Sequence, residues 1–245
     1  MSRIHYAQPL TAARIIAVSV LAAAVFPALL CAQFDLSFLP SYECHIRKCT
    51  GVSGTFLTTN HISRSGSNVT IVTSNTAGSR ISVLCTDGRP LSFRSYGTNG
   101  AAEDSYTFDW NAKQILLESA DGKTTKRSFG LRERTICAPM ITEVFRGFPW
   151  DKNSSGDFVL FTPEKGNGSF DAVLSMVRSN VALQTPGGTR TANVLKLSAG
   201  IGFIKFEQKY EFIYAADNTH ELIRYEGVDA SDRPFTSALE TMSRR

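Results

Sequence analysis

Short segments rich in Val, Ile, Thr, Phe and Tyr, separated by Gly, Asn, Asp and Ser, recur along most of this chain. Segments of that kind read as strands, and the polar pairs between them supply the positive φ angles that tight hairpins need. The pattern predicts strands at 55–63, 68–73, 80–85, 91–96, 105–110, 114–118 and 124–129, with turns at Ala77-Gly78, Asp87-Gly88, Asn99-Gly100 and Asp121-Gly122 among others. Strands resume at 157–161, 169–177, 193–198, 203–214 and 221–225. The tail 229–245 is polar and reads as frayed.

The alternation breaks once. Between Arg132 and Trp150, Ile136, Met140, Ile141, Val144, Phe145 and Phe148 recur at helical spacing, and Pro139 suits a first helical turn. The fold class is therefore mainly β: a curved antiparallel sheet or incomplete β-barrel with one short helix.

The strand 203–214 is the most legible element. Ile204, Phe206, Tyr210, Phe212 and Tyr214 share one parity, while Lys205, Glu207, Lys209 and Glu211 occupy the other, so one face is buried and one is wet. Tyr106, Phe108 and Trp110 repeat the pattern with Thr107 and Asp109 opposite. Two outcomes fit such an interior. If the helix is a lid over an apolar cavity, Met140, Ile141, Val144 and Phe145 face Ile204, Phe206, Tyr210, Phe212 and Tyr214 across a site for a lipid or other apolar small molecule. Otherwise these side chains simply pack together as a core.

The first thirty-two residues are of a different kind. Arg3 and Arg14 precede an apolar run from Ile15 to Leu30, followed by Cys31 and Ala32, which reads as a secretory signal cut before Gln33. The run is shorter than the roughly 20 apolar residues that span a bilayer, and none like it follows, so no transmembrane span is expected in the mature chain. Cleavage before Cys31 with lipidation of its thiol is the lesser alternative, because Leu29 and Leu30 stand where small residues are wanted. The chain is read as exported. Its organisation becomes a signal peptide at 1–32, an amino-terminal segment at 33–54, one β-rich domain at 55–228 and the tail at 229–245.

Charge adds one exclusion. The net charge of +4 loses two units with Arg3 and Arg14, and the remaining cations alternate with acids instead of forming a stripe, so no nucleic-acid partner is implied.

Four cysteines remain after such cleavage: Cys44, Cys49, Cys85 and Cys137. In an oxidising compartment an even number favours disulfides. The short local loop favours Cys44 with Cys49, which leaves Cys85 with Cys137 to tie a strand to the start of the helix. His45 beside Cys44 raises zinc as a competing reading, but no C-x-x-C pair is present.

Catalytic constellations are absent from the sequence. His45, His61 and His220 lie far apart, none in H-E-x-x-H, and each reads as a surface or hairpin residue. Gly51-Val52-Ser53-Gly54 falls one residue short of a nucleophile elbow, and Gly166-Asn167-Gly168 lacks the strand-turn-helix setting of a phosphate loop. No catalytic residue, cofactor or metal is assigned, and the expected role is non-catalytic.

The succession from Thr86-Asp87-Gly88-Arg89-Pro90 through Tyr106-Thr107-Phe108-Asp109-Trp110 to the 132–148 helix resembles a family of exported bacterial proteins of unknown function. Lys209-Tyr210-Glu211-Phe212 followed by Glu221-Leu222-Ile223-Arg224-Tyr225 is similar to that family's closing hairpin. The resemblance spans residues 55–228. It implies an envelope protein with a large curved antiparallel sheet, loosely similar to the open half-barrels that carry lipoproteins across the periplasm, and it implies no activity. Lipid or apolar-ligand binding, a structural or envelope-assembly role with a filled core, and a hydrolase built from unrelated loops are the functions to be separated.

Overall fold

The computed structural model describes residues 34–119, 127–150, 155–163, 168–201, 204–228 and 233–245, and within its strands the side chains at 127, 201 and 204–209 lie outside that description. All of these residues belong to one compact unit, Ala32–Arg245. The leader at 1–32, including Cys31, lies outside the described residues, as do the side chains of Ile204 and Phe206.

Fifteen strands form one sheet in two meanders. The first runs β1 (Tyr42–Gly51), β2 (Gly54–Ser65), β3 (Asn68–Asn75), β4 (Gly78–Cys85), β5 (Pro90–Tyr96), β6 (Ala102–Asp109), β7 (Gln114–Ser119) and β8 (Arg127–Gly130). The second runs β9 (Thr135–Cys137), β10 (Ser155–Thr162), β11 (Gly168–Thr185), β12 (Gly188–Ile201), β13 (Ile204–Ala215), β14 (Leu222–Val228) and β15 (Pro234–Arg244). The meanders join through the antiparallel pair β1–β15, so the first and last strands lie side by side at the centre of the sheet.

The sheet has to curl, and chain connectivity says by how much. Fifteen strands at about 4.8 Å spacing would span about 67 Å if laid flat. The two edge strands, β8 and β9, are nevertheless consecutive in sequence, with only residues 131–134 between them. That link reaches at most about 18 Å. The sheet therefore rolls until its edges approach, but β8 and β9 do not pair, and it stays an open curved sheet instead of closing into a barrel.

Helix α1 (Ile141–Val144) is flanked by 3-10 turns at Ala138–Met140 and Phe145–Gly147, making one continuous helical stretch that crosses from β9 to the parallel strand β10. It is shorter than the predicted span, because Thr135–Cys137 is spent on the edge strand β9. Across the interior the rolled halves meet ring to ring, with Phe161 of β10 at 5.7 Å from Tyr106, 5.9 Å from Phe108 and 6.2 Å from Phe129. The segment leading into β1 also enters the core. Phe34, Leu36 and Leu39 are buried, the Asp35 amide donates to the Gly147 carbonyl at 2.9 Å, and the Leu36 amide donates to Thr86 O at 2.7 Å.

Three expectations are corrected. The tail is not frayed: residues 234–244 are β15, paired on both sides. Its period-two pattern is weak because β15 buries only one short stretch, around Ser237. The segment 42–51 is likewise the central strand β1, not a disulfide loop. Among the described residues, none of the four cysteines is in a disulfide. Cys44 and Cys49 sit five residues apart on one extended strand, which puts them about 16 Å apart on opposite faces, so they cannot bridge. Half-buried Cys85 ends β4 and buried Cys137 ends β9, with no disulfide between them.

Candidate functional site

The helix and β13 do meet, as the apolar parity predicts. Phe145 and Phe212 contact edge to face at 5.2 Å, Phe145 also touches Phe158 at 5.6 Å and stacks on Phe34 at 5.9 Å, and Met140, Val144, Phe145, Phe212 and Tyr214 have no exposed surface. Tyr214 donates its phenol proton to Thr142 O at 2.8 Å; burial, then the charge of Glu143, holds that phenol well above its usual pKa. Ile141 and Tyr210 are partly buried against the same core. What the structure brings together here is a packed interface. Two open cavities of about 230 and 250 Å³ lie elsewhere, the first at the β3–β6 hairpin ends and the second on the outer face of the sheet.

The deepest chemistry of the interior went unread in the sequence. Strand β1 sends Glu43, His45, Arg47 and Cys49 inward, all buried, in alternation with Cys44, Ile46 and Lys48. Glu43 is the hub. It accepts from Arg146 Nη1 at 2.7 Å and Nη2 at 3.3 Å and from Arg244 Nε at 2.7 Å, and His45 Nε2 stands 3.3 Å away. Arg146, on the helix and 1% exposed, donates further to Glu143 Oε2 at 3.1 Å and to the Thr219 carbonyl at 2.8 Å. Trp150 Nε1 then donates to Arg146 O at 3.0 Å.

The energetics follow from burial. Desolvation pushes the Glu43 carboxyl up, but neighbouring His45 and Arg146 together outweigh it and hold the group down at about 2. For Arg146 burial pulls downward, and Glu143 and Glu43 more than compensate, so it stays above its ordinary value. Arg47 has no carboxylate in contact: it donates to Ser237 Oγ, Leu222 O and Ser237 O at 2.9, 2.6 and 3.2 Å, and burial lowers it. A second ion pair lies beside the hub, where buried Glu221 accepts from Arg190, which also lies 3.3 Å from Asp217. These charges neutralise one another, and they fasten the helix to β1, to β15 and to the turn before β14.

Of the three histidines, expected at the surface or in hairpins, His45 alone is placed elsewhere. His45 is 1% exposed, whereas His61 is exposed and shares a 2.7 Å hydrogen bond with the Tyr42 hydroxyl. His220, at φ 42°, stacks on Trp150 at 4.8 Å, and burial lowers its pKa. Among the described residues, no group of three or more His, Cys, Asp and Glu side chains could hold a metal ion. The one signal that could have revealed the hub is the alternation of Glu43, His45 and Arg47, which reads as a strand once the cysteines around it are set aside.

No protein-family model and no curated protein matches the chain. Among solved structures it is similar to the hypothetical lipoprotein YmcC from Escherichia coli, with 11% identity, a TM-score of 0.38 and coverage of 97% of this chain and 99% of that one. A candidate lipoprotein from Parabacteroides distasonis matches at 11% identity and TM-score 0.34, over 87% of this chain and 99% of that one. A candidate exported protein with a YmcC-like fold from Bacteroides fragilis matches at 13% and 0.32, over 87% of this chain and all of that one. At such distances no residue role passes from these proteins to this chain.

Proposed function

We propose that this is a non-catalytic exported protein of the bacterial envelope, a structural or assembly component whose concave face is filled by its own chain. The observation that carries the reading is the seat of the helical stretch 138–147 in that face, with Phe145 on Phe212 and Arg146 on Glu43. A carrier with its guest at this seat would need the space those side chains occupy. Glu43, Glu143, Arg146 and Arg244 are engaged with one another, and Arg47 with Ser237 and Leu222, as expected of groups that hold elements together. Export rests on the leader pattern at 1–32, and the periplasm as destination on the resemblance of residues 55–228 to exported bacterial proteins.

The test is deletion of the gene in its host, with complementation by the wild-type chain and by His45→Gln, and chemical cross-linking in intact cells. A structural component yields an envelope-permeability defect, a specific cross-linked envelope partner, and rescue by His45→Gln. Loss of a hydrolytic activity on deletion, restored by the wild type but not by His45→Gln, would overturn the non-catalytic reading.

A further inference from the structure

The outer face of the sheet carries a feature that the packed interior does not explain. The β11–β12 hairpin extends past the end of β13, and its pairing register slips twice between Met176 and Val181. Asn180 takes a positive φ of 54° there, with its amide donating to Asn193 Oδ1 at 3.0 Å. A bulge of this kind bends a strand. Beyond it, Val181 and Leu183 pack on a second apolar cluster, Ala192, Val194, Ile213, Ala215 and Ile223, on the face opposite Phe212 and Tyr214. The hairpin tip is latched by Arg190 to Glu221 and Asp217. It overlies β14 and β15, and a cavity of about 250 Å³ lies between tip and sheet.

The lining of that cavity sets its chemistry. Leu183 and Pro186 form one wall, Ile223, Ala238 and Leu239 the other. Two of its polar side chains are engaged within the hairpin: Thr185 Oγ1 donates to Gly188 O at 2.7 Å, and Gln184 Nε2 donates to Thr189 Oγ1 at 2.8 Å. Among the lining residues the charged one is Arg224, about half exposed, whose Nε lies 2.7 Å from Glu226, the register partner of Thr236.

We infer that the slot under the β11–β12 hairpin takes the hydrocarbon chain of a single-chain anionic amphiphile, with Arg224 facing its head group. The hydrocarbon walls reward removal of methylenes from water, and a guanidinium at the mouth suits a carboxylate or a phosphate alike. An apolar side chain of a partner protein would use the walls but bring no anion to share Arg224 with Glu226. This site lies on the other face from the helix, and stands whether or not the protein is an assembly component.

The experiment is displacement of dansyl-undecanoate from the mature full chain by laurate, dodecyl phosphate and dodecanol, with thermal unfolding as the folding control. Ala238→Trp fills the slot and is expected to weaken probe binding by at least about tenfold without lowering the melting temperature. Thr236→Phe, on the same lining but outside the second cluster, obstructs it if the tryptophan variant fails to fold. Arg224→Gln is expected to weaken laurate and dodecyl phosphate by up to about fivefold and leave dodecanol unchanged. The ratio of laurate to dodecyl phosphate tells which head group is preferred. Leu57→Ser, on an exposed outer-face leucine two strands from Ala238 across Lys48 and outside the lining, is expected to change nothing. A wild-type chain that binds no probe, folded slot variants that bind it undiminished, or an equal loss in Leu57→Ser would overturn the inference.

Discussion

Arg146 Nη1 lies 2.7 Å from Glu43 Oε2, an ion pair between residues 103 positions apart that is all but closed to solvent and joins the helix to the first strand. A buried pair of this kind gives little net stability over an apolar equivalent, but removing one member leaves an uncompensated charge. The pair therefore acts most strongly as a specification of where the helix sits.

Glu43→Gln keeps the shape of the side chain and removes the charge that Arg146 and Arg244 share. The expected cost is about 3 to 5 kcal/mol in chemical denaturation. Adding Arg146→Met to Glu43→Gln is expected to recover part of that loss. Equal stability of Glu43→Gln and wild type would show that the pair is not coupled to folding.

Acid should unfold the protein in a defined window. Because the Glu43 carboxyl falls from 4.5 in its ordinary state to about 2 in the fold, the unfolded chain takes up its proton first as pH drops. The stability it contributes is complete above pH 4.5 and disappears as pH falls towards 2, a loss of about 3 kcal/mol. Urea midpoints measured from pH 6 down to pH 2 should show that slope, and the slope should flatten in Glu43→Gln.

At the helix–β13 contact, Phe212→Ala is expected to lose about 3 to 5 kcal/mol through cavity formation. Val144→Trp adds volume to a site with none to spare and should destabilise by about 1 to 3 kcal/mol or more. Thermal unfolding checks both. A Val144→Trp variant as stable as wild type would mean that free space lies beside the helix after all.

Thiol chemistry separates the cysteines by burial. Alkylation of the native protein should label half-buried Cys44 and Cys85, with Cys49 and Cys137 reacting only after denaturation. Peptide mapping that finds a Cys44–Cys49 bridge would contradict the extended geometry of β1.

Gly147 is the closest backbone approach at the helix terminus. A Cβ there would stand 2.6 Å from Asp35 O and 2.7 Å from Asp35 N, so Gly147→Ala should push the 34–37 strap out of the core. Faster proteolysis near Phe34 and faster exchange of the Asp35 amide are the expected signs.

The alternation of residues along the chain determined the fold class, most strand positions, the helix and the inward face of β13, because period and turn chemistry are local properties. It misplaced β1 and β15. Each pairs with a sequence neighbour on one side, β2 or β14, and on the other with a strand roughly two hundred residues away, and β1 carries ions where an interior strand ordinarily carries aliphatics. Pairing Glu43 with Arg146 and Arg244 made that burial tolerable, and no local pattern encodes such a pairing. The outward parity of β13 read as wet from Lys205 to Glu211; further along, Ile213 and Ala215 are covered because the β11–β12 hairpin bends over them. Tertiary structure alone decided whether apolar faces would enclose a guest or fill with their own side chains, since that depends on the volume left between elements, a quantity set by their relative placement and not by the hydrophobicity of any one of them.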